Sequence, residues 1–188
     1  MTSPVPDHFA AVVHSSAGRF VITVHRAWAP HGADRFHALV RAGYYDDTRF
    51  FRVVADRWAQ FGIAGDPAVA QAWRGRTIPD DVVRTPNFRG FVAFANTGPN
   101  TRSTQVYINL RDNAAQLDHE PGFAPFGQVT EGMAVVDALH AGYGESAGGG
   151  LRAGRQDRMF AEGNAWLDAA FPELSRVIRI DVKEAVLF

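Results

Sequence analysis

Phe94-Ala95-Asn96-Thr97-Gly98-Pro99-Asn100-Thr101-Arg102-Ser103-Thr104-Gln105-Val106-Tyr107-Ile108-Asn109 is the stretch from which the chain reads as a β protein. Two β-rich runs, 90–96 and 105–110, flank a polar loop holding Gly98, Pro99 and two asparagines, residue types that set special backbone angles. A hairpin or bulged connection of this kind aims Asn96 and Gln105 at one surface. Their amides donate and accept hydrogen bonds but are neither nucleophiles nor bases at neutral pH. The stretch suits holding a backbone rather than cutting one.

Working outward, 9–14 and 19–26 read as a hairpin with Phe20, Ile22 and Val24 on one face by period two. Pro30 opens a helix with Ala33, Phe36, Leu39 and Val40 at helical spacing, and Gly43 is its stop. Strands are expected over 49–54, 58–63, 126–129 and 177–186, and a second helix over 133–140 with Val136 and Leu139 inward. The segment 65–89, with Pro67, Pro79 and Pro86, reads as a long ordered surface excursion. Residues 142–154 carry six glycines and read as the most flexible segment. Over 155–171, Met159, Trp166 and Leu167 suggest a helix that Gly163 and Asn164 interrupt. Many short strands with two main helices favour a mainly β fold, a closed antiparallel barrel with helices at its ends.

The 188 residues fit one domain with a sizeable core. A formal net charge of -1 gives no electrostatic reason to expect nucleic acid or an anionic membrane as partner. The absence of cysteine excludes disulfides, thiolate metal sites and cysteine nucleophiles. No apolar run approaches the roughly 20 residues of a membrane span. The start, Met1 to His8, lacks a signal-peptide pattern, so a cytoplasmic location is expected, with a processed exported form left open. Nothing such as a heptad asks for an oligomer, and a monomer is expected.

Reactive chemistry is scarce. The seven histidines form no HExxH or other tight metal pattern, so no metal or other cofactor is expected. The adjacent acids Asp46-Asp47 and Asp80-Asp81 diverge and make no ready dyad, and no GxSxG elbow is present. The remaining candidate is Arg52, which shares a strand face with Phe50 and Val54 by alternation. One reading is an exposed arginine whose stem covers apolar surface. The other places its guanidinium in a concave site beside Gln60, Asn96 and Gln105, donating hydrogen bonds in fixed geometry.

Here the residues resemble a known family. Tyr45-Asp46-Asp47-Thr48-Arg49-Phe50-Phe51-Arg52-Val53-Val54, then Gln60-Phe61-Gly62 and Gly65-Asp66-Pro67, resemble the cyclophilin pattern YDGTxFHRV followed by QGGDP. The 94–108 stretch resembles the family's MANxGPNTNxSQFFI run. Leu117-Asp118, Phe126-Gly127-Gln128-Val129 and Gly132-Met133-Ala134-Val135-Val136-Asp137 look like its LD, FGxV and GMxVVD elements. The resemblance covers most of residues 9–145 in order. Residues 145–176 look like a C-terminal extension of some bacterial members, packed on a single domain spanning 1–188.

The resemblance implies a closed eight-stranded antiparallel β-barrel capped by two α-helices. It also implies peptidyl-prolyl cis/trans isomerase activity on proline-containing polypeptides during folding, without cofactor. By motif position Arg52 is the catalytic donor. Gln60 orients it or binds the substrate carbonyl, Asn96 holds the substrate backbone, Gln105 lines the groove and Ala95 keeps the floor low. Trp58, Tyr107, Leu117 and Phe123 complete the proline cup.

The cup departs from the family pattern: Arg57 stands where an aromatic wall is usual, Trp58 where a smaller apolar residue is usual, and Tyr107 replaces a Phe. The Tyr107 hydroxyl needs a partner if buried. Gln116 replaces a frequent Trp, so weak binding of cyclosporin-type inhibitors is expected. Phe123 replaces a frequent His and keeps a ring. These changes support an alternative function, a proline-peptide binding or chaperone-like module with little or no turnover. An unrelated lipocalin-type barrel is disfavoured by the order of motifs.

Overall fold

The structure is a computed structural model and describes residues 4–119, 122–148 and 156–184. Among the described residues there are eight strands and five helices. They are β1 (His8–Ser15), β2 (Gly18–His25), α1 (Pro30–Arg41), β3 (Arg52–Val54), β4 (Trp58–Phe61), α2 (Pro67–Trp73), β5 (Phe91–Phe94) and β6 (Val106–Asn109). Then follow α3 (Ala114–Leu117), β7 (Gly127–Glu131), α4 (Met133–Asp137), α5 (Asp157–Ala170) and β8 (Val177–Glu184). Residues 185–186 of the expected last strand lie outside the described residues.

The strands form one antiparallel sheet in the order β3-β4-β6-β5-β7-β2-β1-β8. Its edges, β3 and β8, approach each other just before β3, where Arg49 bridges Arg176 and the Phe50 N–H donates to the Ser175 carbonyl at 2.9 Å. No ladder continues from that bridge among the described residues. The expected closed barrel is therefore corrected to a curled sheet open between β3 and β8. β3 is only three residues long and pairs with β4, which leaves β8 to pair with β1.

Period two decides what each face carries. Phe9, Ala11 and Val13 of β1, Phe20, Ile22 and Val24 of β2, and Val92, Phe94, Val106 and Ile108 of the β5–β6 hairpin are fully buried. α1 lays Phe36 and Leu39 on this face. Each Val, Ile, Leu or Phe among them contributes roughly 1.5–3 kcal/mol when fully buried. The helix ends where Gly43 takes φ 68°, its N–H donating to the Val40 carbonyl and that of Tyr44 to Leu39, the two bonds of a Schellman cap.

The polar loop between β5 and β6 is tied to α1 by the two acids that sequence spacing left idle. Asp81 accepts from the first N–H groups of the helix, those of His31 and Gly32, at 3.1 and 2.9 Å. That carboxylate also accepts from the buried Arg102 at 3.0 Å. Asp80 and Asn100 exchange backbone-to-side-chain bonds at 2.8 and 3.0 Å. The excursion thus holds the loop in place, and it contains a helix, α2, that the sequence reading did not expect. Asp66 caps α2 and Pro67 opens it, a recognised start signal.

α4 stops at Asp137, shorter than expected, with Val136 and Leu139 buried as anticipated. The second long helix is instead α5. Gly163, at φ 59° and ψ -145°, breaks it, and the N–H of Asn164 then donates to the Gly65 carbonyl at 3.0 Å. Arg49, almost fully buried, grips Asp168 through Nε and Nη2 at 3.0 and 3.1 Å. Of the glycine-rich segment, 149–154 lies outside the described residues. Residues 142–148 form consecutive hydrogen-bonded turns in which Ala147 is fully buried.

Candidate active site

Sheet register builds the site. Arg52 of β3 pairs with Gln60 of β4, Gln60 with Tyr107 of β6, and Tyr107 with Ala93 of β5. These four residues form one row across four strands. One position along, Val53, Ala59, Ile108 and Val92 form the parallel row and belong to the main core. Because side chains alternate between faces, a row of core residues obliges its neighbour to lie on the opposite face.

A chain of amides runs from Arg52. Its Nη1 donates to Gln60 Oε1 at 3.0 Å, and Gln60 Nε2 donates to Gln105 Oε1 at 2.9 Å. Gln105 Nε2 then donates to Gln156 Oε1 at 2.8 Å. On its other edge Arg52 Nε donates to Glu145 Oε1 at 2.8 Å, and Nη2 to the same oxygen. Glu145 and Gln156 come from the part of the chain where the sequence offered no site residue. No motif announced them; only the fold brings Glu145 to a partner 93 positions away.

Beside the row lies a small apolar cluster separate from the main core: Ala93, Ala95, Tyr107 and Leu117 are buried, with Trp58 and Phe123 packed against them. The rings of Tyr107 and Phe123 meet edge-on at 5.8 Å. Trp58 meets two arginines, its ring 4.9 Å from the Arg52 guanidinium and 5.4 Å from that of Arg57. Arg57 thus stacks on the ring that forms the cup's wall. The turn between β3 and β4 puts Asp56 at φ 57°, the region glycine favours.

The Tyr107 hydroxyl finds the partner it requires. It donates to Asn87 Oδ1 at 2.7 Å, and Asn109 Nδ2 shares that acceptor at 3.1 Å. Asn87 in turn donates Nδ2 to Asp118 Oδ1 at 2.7 Å and to the Phe123 carbonyl at 2.8 Å. Burial, with a smaller push from Asp118, raises the Tyr107 hydroxyl well above the ordinary tyrosine range, so it stays protonated as a donor. Asn87 was missed from sequence because it sits in the excursion with no motif around it.

Asn96 is buried, and its Oδ1 accepts from the Gly98 N–H at 3.2 Å. Its amide therefore shapes the loop that follows β5. A cavity of about 330 Å³ is lined by Ala95, Thr101, Gln105, Gln156, Asp157 and Phe160, among others. All nine residues expected from sequence (Arg52, Trp58, Gln60, Ala95, Asn96, Gln105, Tyr107, Leu117 and Phe123) lie in or beside this one region. Among the described residues no cluster of His, Asp or Glu is arranged to hold a metal.

Comparison with known proteins gives the family. The profile of the family described as cyclophilin type peptidyl-prolyl cis-trans isomerase/CLD matches residues 9–156. The peptidyl-prolyl cis-trans isomerase cyp18 of Streptomyces antibioticus is 39% identical over 137 residues, covering 68% of this chain and 80% of that protein. The isomerase CYP18-2 of Arabidopsis thaliana is 30% identical over 133 residues, covering 68% and 77%. A crystal structure of a Cryptosporidium parvum cyclophilin type isomerase superposes with a TM-score of 0.69 at 16% identity, covering 95% of this chain and 99% of that one. With most of its length matched by the profile and with a relative this similar, the chain belongs to the cyclophilin-type peptidyl-prolyl cis-trans isomerases.

Proposed function

We propose that this chain accelerates rotation about X–Pro bonds in proline-containing polypeptides, with Arg52 as the donor that favours the twisted state. The observation that carries the reading is the placement of Arg52 on one cross-strand row with Gln60 and Tyr107, at the rim of the apolar cluster. Amide resonance sets a rotation barrier of about 18–20 kcal/mol. At the top of that barrier the prolyl nitrogen regains its lone pair. An N–H of Arg52 aimed there binds the twisted state better than either planar one, and only such differential binding speeds a reaction. One preorganised donor of this kind is worth about 10²–10³ in rate.

No bond is made or broken, which accounts for a site rich in amides and lacking a nucleophile. Gln60 orients Arg52, and Gln105 and Asn96 line the path of the substrate backbone over Ala95. Trp58, Tyr107, Leu117 and Phe123 receive the proline ring. The test is a proline-limited peptide assay: Arg52→Ala should lower kcat/KM by about 10²-fold or more. Equal rates for the two proteins would sink the mechanism.

Trp58 favours a second reading, a module that binds proline peptides without turning them over. Its ring packs into the cluster and its Nε1 is buried with no partner among the described residues, so the ring can fill space a proline would need. Peptide binding without rate enhancement, and turnover restored by Arg57→Phe plus Tyr107→Phe, would select this reading.

A further inference from the structure

We infer that Glu145 is a positioning residue for Arg52, a role that rests on the isomerase reading above. A guanidinium carries five N–H donors in one rigid plane. Three are engaged here: Nε–H and one N–H of Nη2 by Glu145 Oε1, and one N–H of Nη1 by Gln60 Oε1. The two acceptors belong to residues on different parts of the fold. One acceptor alone leaves the plane free to pivot about its hydrogen bond. Two fix its rotation and tilt together. One N–H on each terminal nitrogen is then left for a substrate, whose twisted bond presents a nitrogen lone pair within reach of nearby carbonyl oxygens.

Glu145 is delivered by an anchored turn. The Gly148 N–H returns to the Glu145 carbonyl at 3.3 Å, Gly144 takes φ 52°, and Ala147 is fully buried two residues on. Upstream, the Tyr143 ring packs edge-on against Phe171 at 5.2 Å. The Glu145 side chain is itself 52% exposed, so solvent screens the pair and its contribution to folding is small. What remains for the contact to do is orientation. The far end of the amide chain is held in the same manner, Gln156 fixing Gln105 and through it Gln60. Arg52 is thereby braced from both sides by residues beyond position 140.

The experiment is steady-state isomerisation of a proline-containing peptide by the full chain, comparing wild type with Glu145→Ala, Glu145→Gln and Arg52→Ala. Thermal melts and the Arg52 Nε–H signal of isotope-labelled protein are recorded alongside. Glu145→Ala should lower kcat about 10-fold with KM changed less than about twofold, because misaimed catalytic groups slow chemistry without weakening binding. Its melt should match wild type, while the Nε–H signal loses its protection from exchange. Glu145→Gln keeps an oxygen acceptor at the same reach and should recover kcat to within about threefold. Wild-type kcat in Glu145→Ala would overturn the assignment and leave the isomerase reading standing, and a faster kcat would overturn it by showing that the carboxylate competes with substrate for Arg52. A wild type no faster than Arg52→Ala would instead overturn the isomerase reading, and the positioning role with it.

Discussion

Tyr107 and Asn87 are joined by a 2.7 Å hydrogen bond at the base of the apolar cup, and four groups bond to the side chain of that one asparagine. The Asn87 side chain accepts from Tyr107 and Asn109 and donates to Asp118 and the Phe123 carbonyl, while its backbone N–H also reaches Asp118. Removing one partner differs from removing the hub. Tyr107→Phe leaves Asn87 Oδ1 bonded to Asn109 and should cost about 1 kcal/mol. Asn87→Ala strands several buried polar groups and should cost about 3 kcal/mol or more. Urea titrations of the two variants would check the order, and equal midpoints would contradict it.

Arg52→Lys tests the planar clamp. A lysine carries its three donors on one flexible nitrogen and cannot satisfy Gln60 and Glu145 while still presenting aimed donors. Isomerase kcat should fall about 10²-fold, with a melting temperature close to wild type because the side chain stands at the rim. A lysine variant retaining full activity would show that charge alone suffices.

Three buried tyrosines make the protein sensitive to alkali. Burial raises the hydroxyls of Tyr44, Tyr45 and Tyr107 above their ordinary value of 10.0. Above that value the unfolded chain gives up protons that the native state keeps, so stability is full below it and falls as pH rises. The urea midpoint should hold to about pH 9 and drop as pH rises past about 10. Tyr107→Phe should shallow that drop.

The acid side has its own pair. Burial lowers His25 and His37 below 6.5, with the neighbouring His8 adding to the effect at His25 and Arg41 at His37. Here the unfolded chain takes up protons first, so their contribution is present above 6.5 and is lost as pH falls through the native values. His25→Phe keeps a ring to stack on Trp28, which His25 meets at 4.1 Å. It should flatten the decline in stability below about pH 6.5.

Gly163→Ala should destabilise the protein by about 2–3 kcal/mol. A Cβ there would lie 2.1 Å from the Gly65 carbonyl oxygen, at a φ of 59° that disfavours any side chain. Chemical denaturation reads the loss directly. A neutral result would mean that α5 can shift on α2 without penalty.

The sequence disclosed the parts governed by short-range rules. Period two fixed the inward faces of β1 and β2, and the order of motifs put Arg52, Gln60, Gln105 and Tyr107 in one region. Asp66-Pro67 carries the start signal of α2, which the reading of 65–89 as an excursion leaves unused. The closed barrel was overread, since strand count says nothing of whether a three-residue β3 can pair on both sides. Asn87 and Glu145 were out of reach for another reason. Their importance lies in a contact with one distant atom, Tyr107 Oη or Arg52 Nε, and no local pattern encodes such a meeting.

The row Arg52–Gln60–Tyr107–Ala93 spans four strands drawn from three separate parts of the chain. A slip of one residue in β4 would turn Gln60 toward the core and set Ala59 or Phe61 beside Arg52. The arginine would then lose its amide partner while two apolar side chains faced water. If Arg52 is the donor proposed above, a misregistered sheet is silent as well as unstable, and each molecule that turns over substrate has, by doing so, reported that its strands are aligned.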